Sequence, residues 1–190
     1  MSGAPTLRRR DKEMSEAAVD EMLATSYCGR LATVGTDGSP YVCPLLYVWM
    51  DRTIWLHNTS ARGHLQDNVR HAPRVCFEVD APGQVYSYGR YQCDTALEYR
   101  SVIVFGTIRI VEDRPLKAAF FDALMAKYSA AESGRPKGFY PRLDNVTTYA
   151  VAVDRMSGKQ TSLPAVEGRW PAVDRTMSPD AVPPPAGAAT

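Results

Sequence analysis

The sequence lacks the features that mark membrane-spanning, secreted and nucleic-acid-binding proteins. No apolar run approaches the roughly 18 to 20 residues that cross a bilayer, and no apolar segment of a signal peptide follows the polar start MSGAPTLRRRDKE. Neither sign of charge dominates, since 22 Lys and Arg residues oppose 21 Asp and Glu residues. This balance disfavours nucleic acids and anionic membranes as partners. We therefore expect a cytoplasmic protein with no nucleic-acid and no membrane partner.

Cysteine and histidine are scarce and poorly spaced for metal binding. The 4 cysteines form no CxxC pair, so a structural zinc site is not expected, and packing as small hydrophobic residues is the simpler reading. The 3 histidines, His57, His64 and His71, are seven residues apart. On one helix, His64 and His71 would lie about 10 Å apart, too far to share one ion. We expect no metal site.

The common catalytic motifs are also absent. The chain has no GxSxG, no HExxH, no GxGxxG after a strand and no GxxxxGK[ST]. These absences disfavour serine hydrolases, zinc proteases, Rossmann enzymes and P-loop ATPases.

The hydrophobic pattern that is present indicates a mainly β protein with helices. Strand-like segments alternate with turns; they are GRLATVG, PYVCPLLYVWM, TIWLH, RVCFEVD, LEYRSVIVFGTIRIVED and VTTYAVAVDRMSG. Helices are predicted from Ser15, before Pro73, and from Arg114 to about residue 130. The pattern predicts a small barrel of six or seven strands decorated by helices.

Three regions differ in composition. Residues 1–14 form a polar arm, residues 15–159 form the folded domain, and residues 160–190 form an extension that ends in PDAVPPPAGAAT. The Pro- and Ala-rich end of this extension is predicted to be disordered.

The run from Tyr41 to Met50 is apolar at nearly every position. A strand with this pattern is expected to be covered on both faces, as in a barrel wall or a subunit interface. Pro44 within it indicates an edge, a bulge, or a point where the backbone turns toward a ligand.

Two segments could form a binding site. HNTSARGH, between a strand and a helix, could hold a phosphate or could be a polar loop with a capping hydroxyl. PLLYV could present its backbone to a flat heteroaromatic ligand, or its side chains could simply belong to the core. The residues alone leave both pairs of alternatives open.

Taken together, the segments resemble the FMN-binding split barrels related to pyridoxamine 5'-phosphate oxidase and, within them, the 5-nitroimidazole resistance proteins. The matching pieces are GRLATVGTDGSPYVCPLLYVW, TIWLHNTSARGHLQDN, HAPRVCFEVD, LEYRSVIVFGTIRIVED and VDRMSGK, which run from about residue 28 to 159. The resemblance implies a six-stranded antiparallel split barrel. It also implies a homodimer with FMN in each of two clefts at the subunit interface.

The resemblance implies a role for individual residues. It makes His57 the catalytic residue, in contact with the cofactor, and it places Ser101, more than its neighbour Arg100, near the cofactor cleft. Trp170 either caps the flavin site of the partner or anchors the tail to its own barrel. The remaining positions are those implied for the flavin ring, Cys43, Pro44, Leu45 and Tyr47, and those implied for the phosphate, Asn58, Thr59, Arg62, Gly63 and His64.

One position departs from the family pattern. Many relatives have a Lys or Arg at or just after His64, whereas this chain continues with Leu65. Imidazole is a weaker and more pH-dependent phosphate partner than a guanidinium group. We expect either a modest FMN affinity or an affinity that falls as the pH rises from about 6 to about 8.5.

The implied function is an FMN-dependent oxidoreductase. It would take a hydride from a nicotinamide donor and pass electrons to a small electron-poor acceptor such as a 5-nitroimidazole or a quinone. The alternatives are a non-catalytic split-barrel protein that binds FMN or haem, and a reductase that uses F420. Pyridoxamine 5'-phosphate oxidase itself is disfavoured, because GRWPAV does not reproduce that enzyme's C-terminal Arg- and Trp-bearing signature.

Overall fold

A computed structural model describes residues 7–87, 93–129 and 138–163. Trp170 and the end of the C-terminal extension lie outside these residues, so the predictions for them are not addressed by the structure. The chain forms two compact units. One holds Met14–Asp80 and Val102–Gly158, and the other holds the described parts of Met1–Glu13, Ala81–Ser101 and Lys159–Thr190.

The three predicted helices are confirmed. They are α1 (Glu16–Thr25), α2 (His64–His71) and α3 (Arg114–Tyr128). The Ser15 side chain caps α1 by accepting a hydrogen bond from the Ala18 N–H at 3.3 Å. The Asp113 side chain caps α3 in the same way, accepting from the Leu116 N–H at 2.8 Å. Both caps satisfy N–H groups that have no partner inside the helix.

The protein is mainly antiparallel β, with seven strands. The resemblance implied six, and the hydrophobic pattern allowed six or seven. The strands are β1 (Gly29–Val34), β2 (Pro40–Leu45), β3 (Tyr47–Met50), β4 (Thr53–Thr59), β5 (Arg74–Ser87), β6 (Thr95–Val111) and β7 (Val146–Thr161). The extra strand arises because the apolar run Tyr41–Met50 is interrupted at Leu46. Its two halves pair with different neighbours, β2 with β1 and β3 with β4.

The strand order explains how Leu46 shapes the sheet. The order is β2-β1-β5-β6-β7-β4-β3, so β2 and β3 are the two outermost strands. These strands are consecutive in the chain and are separated by Leu46 alone. The two ends of the sheet are therefore held next to each other at this residue, as closure of a barrel requires.

Strand β4 is buried on both of its faces. Ile54 and Leu56 are fully buried on one face. Trp55 points to the other, where it stacks on Phe120 of α3 with ring centroids 6.3 Å apart. Residues from β3, β4, β6 and β7 complete this second layer with α3; its buried members are Val48, Trp55, Val111, Phe120, Leu124 and Ala150.

The prediction that the Tyr41–Met50 run is covered on both faces holds for only part of it. Tyr47 and Val48 are consecutive and both buried, so β3 is covered on its two sides. Tyr41, Val42 and Leu46 are exposed, with 36%, 58% and 37% of their surface accessible. In the single chain, the β2 half of the run thus presents apolar side chains to solvent.

Within the described residues, no helix is long and apolar enough to cross a membrane. The same part of the chain contains no group of three or more His, Cys, Asp or Glu residues that could hold a metal ion.

Candidate functional site

Strand β2 carries three of the residues implied for the flavin ring. Cys43 and Leu45 are half-buried and Pro44 is exposed. The strand pairs with β1 on one side and is the outermost strand of the sheet on the other. Pro44 has no N–H to offer another strand, and proline is one means by which exposed edges avoid unwanted pairing. An accessible, partly apolar strand edge of this kind can accept a flat ligand.

Tyr47, the fourth of these residues, belongs to the core. It is fully buried, its ring meets Phe77 edge-on at 4.8 Å, and its hydroxyl donates a hydrogen bond to the Leu23 carbonyl at 2.5 Å. Burial also raises the pKa of the Tyr47 hydroxyl. Its backbone N–H donates to the Tyr128 hydroxyl at 3.3 Å. The implied contact with a flavin ring stays a prediction, and the Tyr47 side chain is committed to packing.

A buried lysine lies directly over the Tyr47 ring. Lys127 Nζ is 4.0 Å from the centroid of that ring and is inaccessible to solvent, without a hydrogen-bond partner in the described structure. Burial disfavours the charged ammonium and lowers its pKa to about 8. The cation–π contact offsets part of this cost.

Replacing Lys127 with methionine is expected to stabilise the protein by about 1 to 2 kcal/mol at pH 7. Because the folded-state pKa is below the unfolded value, the unfolded chain binds more protons, and the penalty in the wild type fades as the pH rises from about 8 to 10.5. Thermal unfolding of both proteins across this pH range measures the difference in stability between the variant and the wild type. This difference should become smaller as the pH rises.

Lys117, on the same helix, provides the matched control. Its buried Nζ donates a hydrogen bond to the Val146 carbonyl at 2.9 Å. Lys117→Met removes this bond and should destabilise the protein by about 1 to 2 kcal/mol. Destabilisation by Lys127→Met at pH 7 would show that its cation–π contact outweighs its desolvation.

The residues implied for the phosphate meet at the start of α2. Gly63 is the N-cap residue and has no side chain to cap the helix, so the first-turn N–H groups remain available for an anion. The Arg62 side chain is 79% exposed, and its Nε donates to Asp67 Oδ1 at 2.8 Å. The His64 ring lies 5.7 Å from the ring of Tyr41 in β2. This contact brings the start of α2 next to strand β2.

Asn58, also implied for the phosphate, takes part in a different set of contacts. Its side-chain oxygen accepts a hydrogen bond from the Tyr149 hydroxyl at 3.0 Å. Nearby on β7, Thr147 Oγ1 accepts from Gln66 Nε2 of α2 at 3.4 Å. Asn58 therefore links β4 to β7, and the Thr147–Gln66 bond links β7 to α2, whereas Thr59 at the end of β4 is exposed.

His57 lies on the opposite face of β4 from Asn58, beneath α3. Its ring contacts Phe120 and Phe121, with centroids 5.7 and 5.1 Å apart. Its Nδ1 is buried without a hydrogen-bond partner among the described residues. Burial lowers the pKa of His57, so the imidazole is neutral at pH 7. The residue is half-buried overall, and its accessible surface therefore belongs to atoms other than Nδ1.

The structure thus brings only some of the predicted site residues together. It brings Arg62, Gly63 and His64 next to β2 and sets His57 apart under α3. Ser101 is a half-buried residue of β6 in the smaller unit, and its neighbour Arg100 is exposed.

Two residues near the start of α2 were not predicted. Tyr41 contacts His64, and Asp67 holds Arg62. Nothing in the sequence distinguished Tyr41 from the other residues of its apolar run. The Arg62–Asp67 pair could have been predicted, because the two charged residues lie on either side of the helix start.

The family assignment follows from sequence. The family described as Pyridoxamine 5'-phosphate oxidase matches residues 15–160. The chain belongs to this family, and its antiparallel sheet with three helices is the split-barrel fold expected from the resemblance. Among curated proteins, no match was found.

Solved structures share the fold at low sequence identity. The flavocytochrome Anf3 from Azotobacter vinelandii is 17% identical with a TM-score of 0.72, over 100% of this chain and 93% of that one. An FAD and haem binding protein from Mycobacterium smegmatis is 21% identical with a TM-score of 0.67, over 94% and 93%. A candidate 5-nitroimidazole antibiotic resistance protein from Bacteroides thetaiotaomicron is 20% identical with a TM-score of 0.64, over 76% and 83%. An F420 reductase also matches, at 22% identity and a TM-score of 0.52, over 73% and 94%.

Proposed function

We propose that this protein is a cytoplasmic, homodimeric oxidoreductase that binds FMN and uses a nicotinamide donor to reduce a small electron-poor acceptor such as a 5-nitroimidazole. One observation carries the proposal: the start of α2, with Arg62 and His64, lies against the exposed strand β2 through the contact of His64 with Tyr41. An anion-binding helix start beside an apolar strand edge suits a flat ligand with a phosphate tail.

The phosphate end of the proposed site draws on charge and on backbone N–H groups. Arg62 can turn from Asp67 to a phosphate, because its guanidinium group is mostly exposed and a surface ion pair holds it only weakly. The first-turn N–H groups of α2 add the positive end of the helix dipole. His64 supplies a hydrogen-bond donor at the same place.

The ring end of the proposed site uses strand β2 and a second chain. The exposed apolar side chains of Tyr41, Val42 and Leu46 lie along and just after this strand. Val34 of β1 and Tyr27 before it are also exposed, at 41% and 73%. Consecutive strand residues face opposite sides, so Val42 shares its face with Val34 and Tyr41 lies on the face toward α2. A two-fold dimer that covers the face of Val34 and Val42 would enclose a ligand at the edge of β2.

The bound flavin would supply the hydride and electron chemistry. The protein's own contribution would be to hold the phosphate at α2, to position the ring against β2, and to exclude water at the dimer interface. His57 would donate a proton or hydrogen bond to the nitro group of the acceptor or to the reduced flavin. Its neutral state at pH 7 suits a hydrogen-bond donor in an apolar site.

The test is an anaerobic reduction assay. The FMN-loaded protein is mixed with NADH or NADPH, flavin bleaching is followed, and then a 5-nitroimidazole or a quinone is added. We expect bleaching by one of the nicotinamides and rapid reoxidation by at least one acceptor. A bound flavin that is reduced by neither donor, or that no acceptor reoxidises, would refute the reductase function.

Replacing Asp67 with asparagine is expected to tighten FMN binding about 3- to 10-fold. The change releases Arg62 and removes a negative charge from the first turns of α2. Arg62→Ala should weaken binding about tenfold or more for the complementary reason. Flavin fluorescence titration at low ionic strength measures both affinities.

The control is the ion pair of Arg114 with Asp144, whose two contacts are 2.9 and 3.0 Å. Asp144→Asn should leave the FMN affinity unchanged. If Arg62→Ala binds FMN as tightly as the wild type, the phosphate does not lie at the start of α2.

A binding protein without turnover is the second candidate. Two matching structures are a flavocytochrome and an FAD and haem binding protein, which favours FAD or haem as alternative ligands. The matching F420 reductase favours F420 as a further cofactor. A haem Soret band on reconstitution, or F420 binding where FMN does not bind, would decide for these ligands.

A further inference from the structure

Three buried polar atoms lie on one face of the ladder between β4 and β7, beneath α3. They are Trp55 Nε1, His57 Nδ1 and Thr148 Oγ1, and none has a hydrogen-bond partner within the part of the chain that the structure describes. Trp55 and Thr148 are only 6% and 1% exposed. A buried polar group without a partner costs stability, and almost all such groups in folded proteins are paired with protein or ordered water.

The strand register shows that the three atoms belong to one region. His57 and Thr148 are directly opposite each other in the antiparallel pair, which places their Cβ atoms about 4.5 to 5.5 Å apart on the same face. Trp55 precedes His57 by two residues and shares that face. The Phe120 ring packs against both Trp55 and His57, at 6.3 and 5.7 Å. Neighbouring positions on one face, packed against one aromatic ring, are the arrangement that a shared polar region between these three atoms requires.

The hydrogen-bonding capacity of these three side chains indicates which molecule lies between them. The indole of Trp55 only donates, and the Thr148 hydroxyl both donates and accepts. A water molecule that accepts from both of these and donates to His57 Nδ1 leaves just one of its own hydrogens without a partner. If His57 Nδ1 carried the proton instead, the water would accept from Trp55 and His57 and could not also accept from Thr148. The Thr148 hydroxyl hydrogen and one water hydrogen would then both lack an acceptor. Water with three polar neighbours is the usual content of such a region.

We propose that one buried water molecule bridges Trp55, His57 and Thr148 and holds the His57 imidazole in the tautomer with its proton on Nε2. Thr148 is then a positioning residue, because it acts on an acceptor only through His57. This consequence rests on the proposed function: the Nε2–H group is the donor that His57 presents to the acceptor. The water and the tautomer can be measured without any flavin or acceptor.

The experiment uses nitrogen-15-labelled full-length protein near neutral pH. In the wild type we expect a nuclear Overhauser effect between the Trp55 indole N–H and a long-lived water. We also expect long-range nitrogen–proton spectra to show His57 Nδ1 unprotonated and Nε2 protonated. Thr148→Val keeps the volume and removes the hydroxyl, so the water signal should be lost and the Nδ1 resonance should move toward that of a nitrogen without a hydrogen bond.

Two variants control for a purely structural effect. Thr148→Ser keeps the hydroxyl and should keep both signals. Thr147→Val removes the hydrogen bond to Gln66 on the opposite face and should leave the His57 and Trp55 signals in place. If Thr148→Val does not fold, the wild type and Thr148→Ser still decide, because both signals must be present in each.

The proposal is overturned by a wild type that shows no water at Trp55 or carries the proton on Nδ1, and by unchanged signals in Thr148→Val. If the protein is the reductase proposed above, Thr148→Val should also lower kcat about tenfold with the KM for the acceptor unchanged. Correct spectra with no reduction of any acceptor would leave the bridging water established and would refute the proposed function alone.

Discussion

Replacing His57 with alanine is expected to lower the rate of acceptor reduction about 100-fold or more while FMN stays bound. A positioned hydrogen-bond donor that stabilises the charge developing on the acceptor typically contributes a factor of about 10² to 10³. The reoxidation of reduced flavin by a 5-nitroimidazole, followed by stopped flow, isolates the step in which His57 is proposed to act. The preceding reduction by the nicotinamide should change little.

His71→Ala is the matched control, since His71 is an exposed histidine at the end of α2. It should reduce the acceptor at the wild-type rate. His57→Ala also removes a ring that packs on Phe120 and Phe121, so its thermal stability must be measured alongside. Unchanged reoxidation in a folded, FMN-bound His57→Ala would remove His57 from the catalytic machinery.

Gly106→Ala is expected to cost about 3 kcal/mol or more of stability. Gly106 is a buried residue of β6. A Cβ there would press against the backbone carbonyl oxygen of Ala152 in β7 and would lie 2.8 Å from Val151 Cγ1. Backbone in the middle of a sheet cannot move aside as a flexible side chain can, so strain of this kind falls among the large destabilising effects. Both strands are interior in the strand order.

Chemical and thermal unfolding measure this cost, and a fall in Tm of about 6 to 12 °C is expected for a chain of this size. Gly63→Ala is the control with the same substitution. A Cβ at Gly63 meets no atom within 4 Å, so the change should cost less than about 1 kcal/mol. Equal stabilities for the two variants would mean that β6 and β7 are not packed as described.

The local signals in the sequence predicted the helices well. A capping residue marked the start of α1 at Ser15, and a first-turn proline with an apolar stripe marked α3 near Arg114; the structure confirms both starts. These signals are short-range, so they can be read without knowing the partners of each segment.

The division of one apolar run into two strands could not be predicted in the same way. The apolar run Tyr41–Met50 has no polar residue to mark a break, and the division at Leu46 follows from pairing with two different strands. Pairing partners are distant in sequence, and hydrophobic periodicity carries no information about them. The β2 half of the run is exposed in the single chain, which its apolar composition did not predict.

The residues proposed for the site stay predictions, and their arrangement in space could not be predicted from the sequence. The segment from Arg62 to His64 lies beside β2, as the implied cofactor requires. The alternation of β4 could have separated His57 from Asn58, because consecutive residues of a strand face opposite sides. The unpaired atoms of Trp55 and Thr148 could not be anticipated, since they arise from the register of β4 and β7.

The most direct test of the central claim is the visible absorption spectrum of the purified protein, followed by titration with FMN under fluorescence detection. We predict the two absorption bands of an oxidised flavin, or saturable quenching at one FMN per chain. A colourless protein that leaves FMN fluorescence unchanged would contradict the account of this protein as an FMN-dependent oxidoreductase.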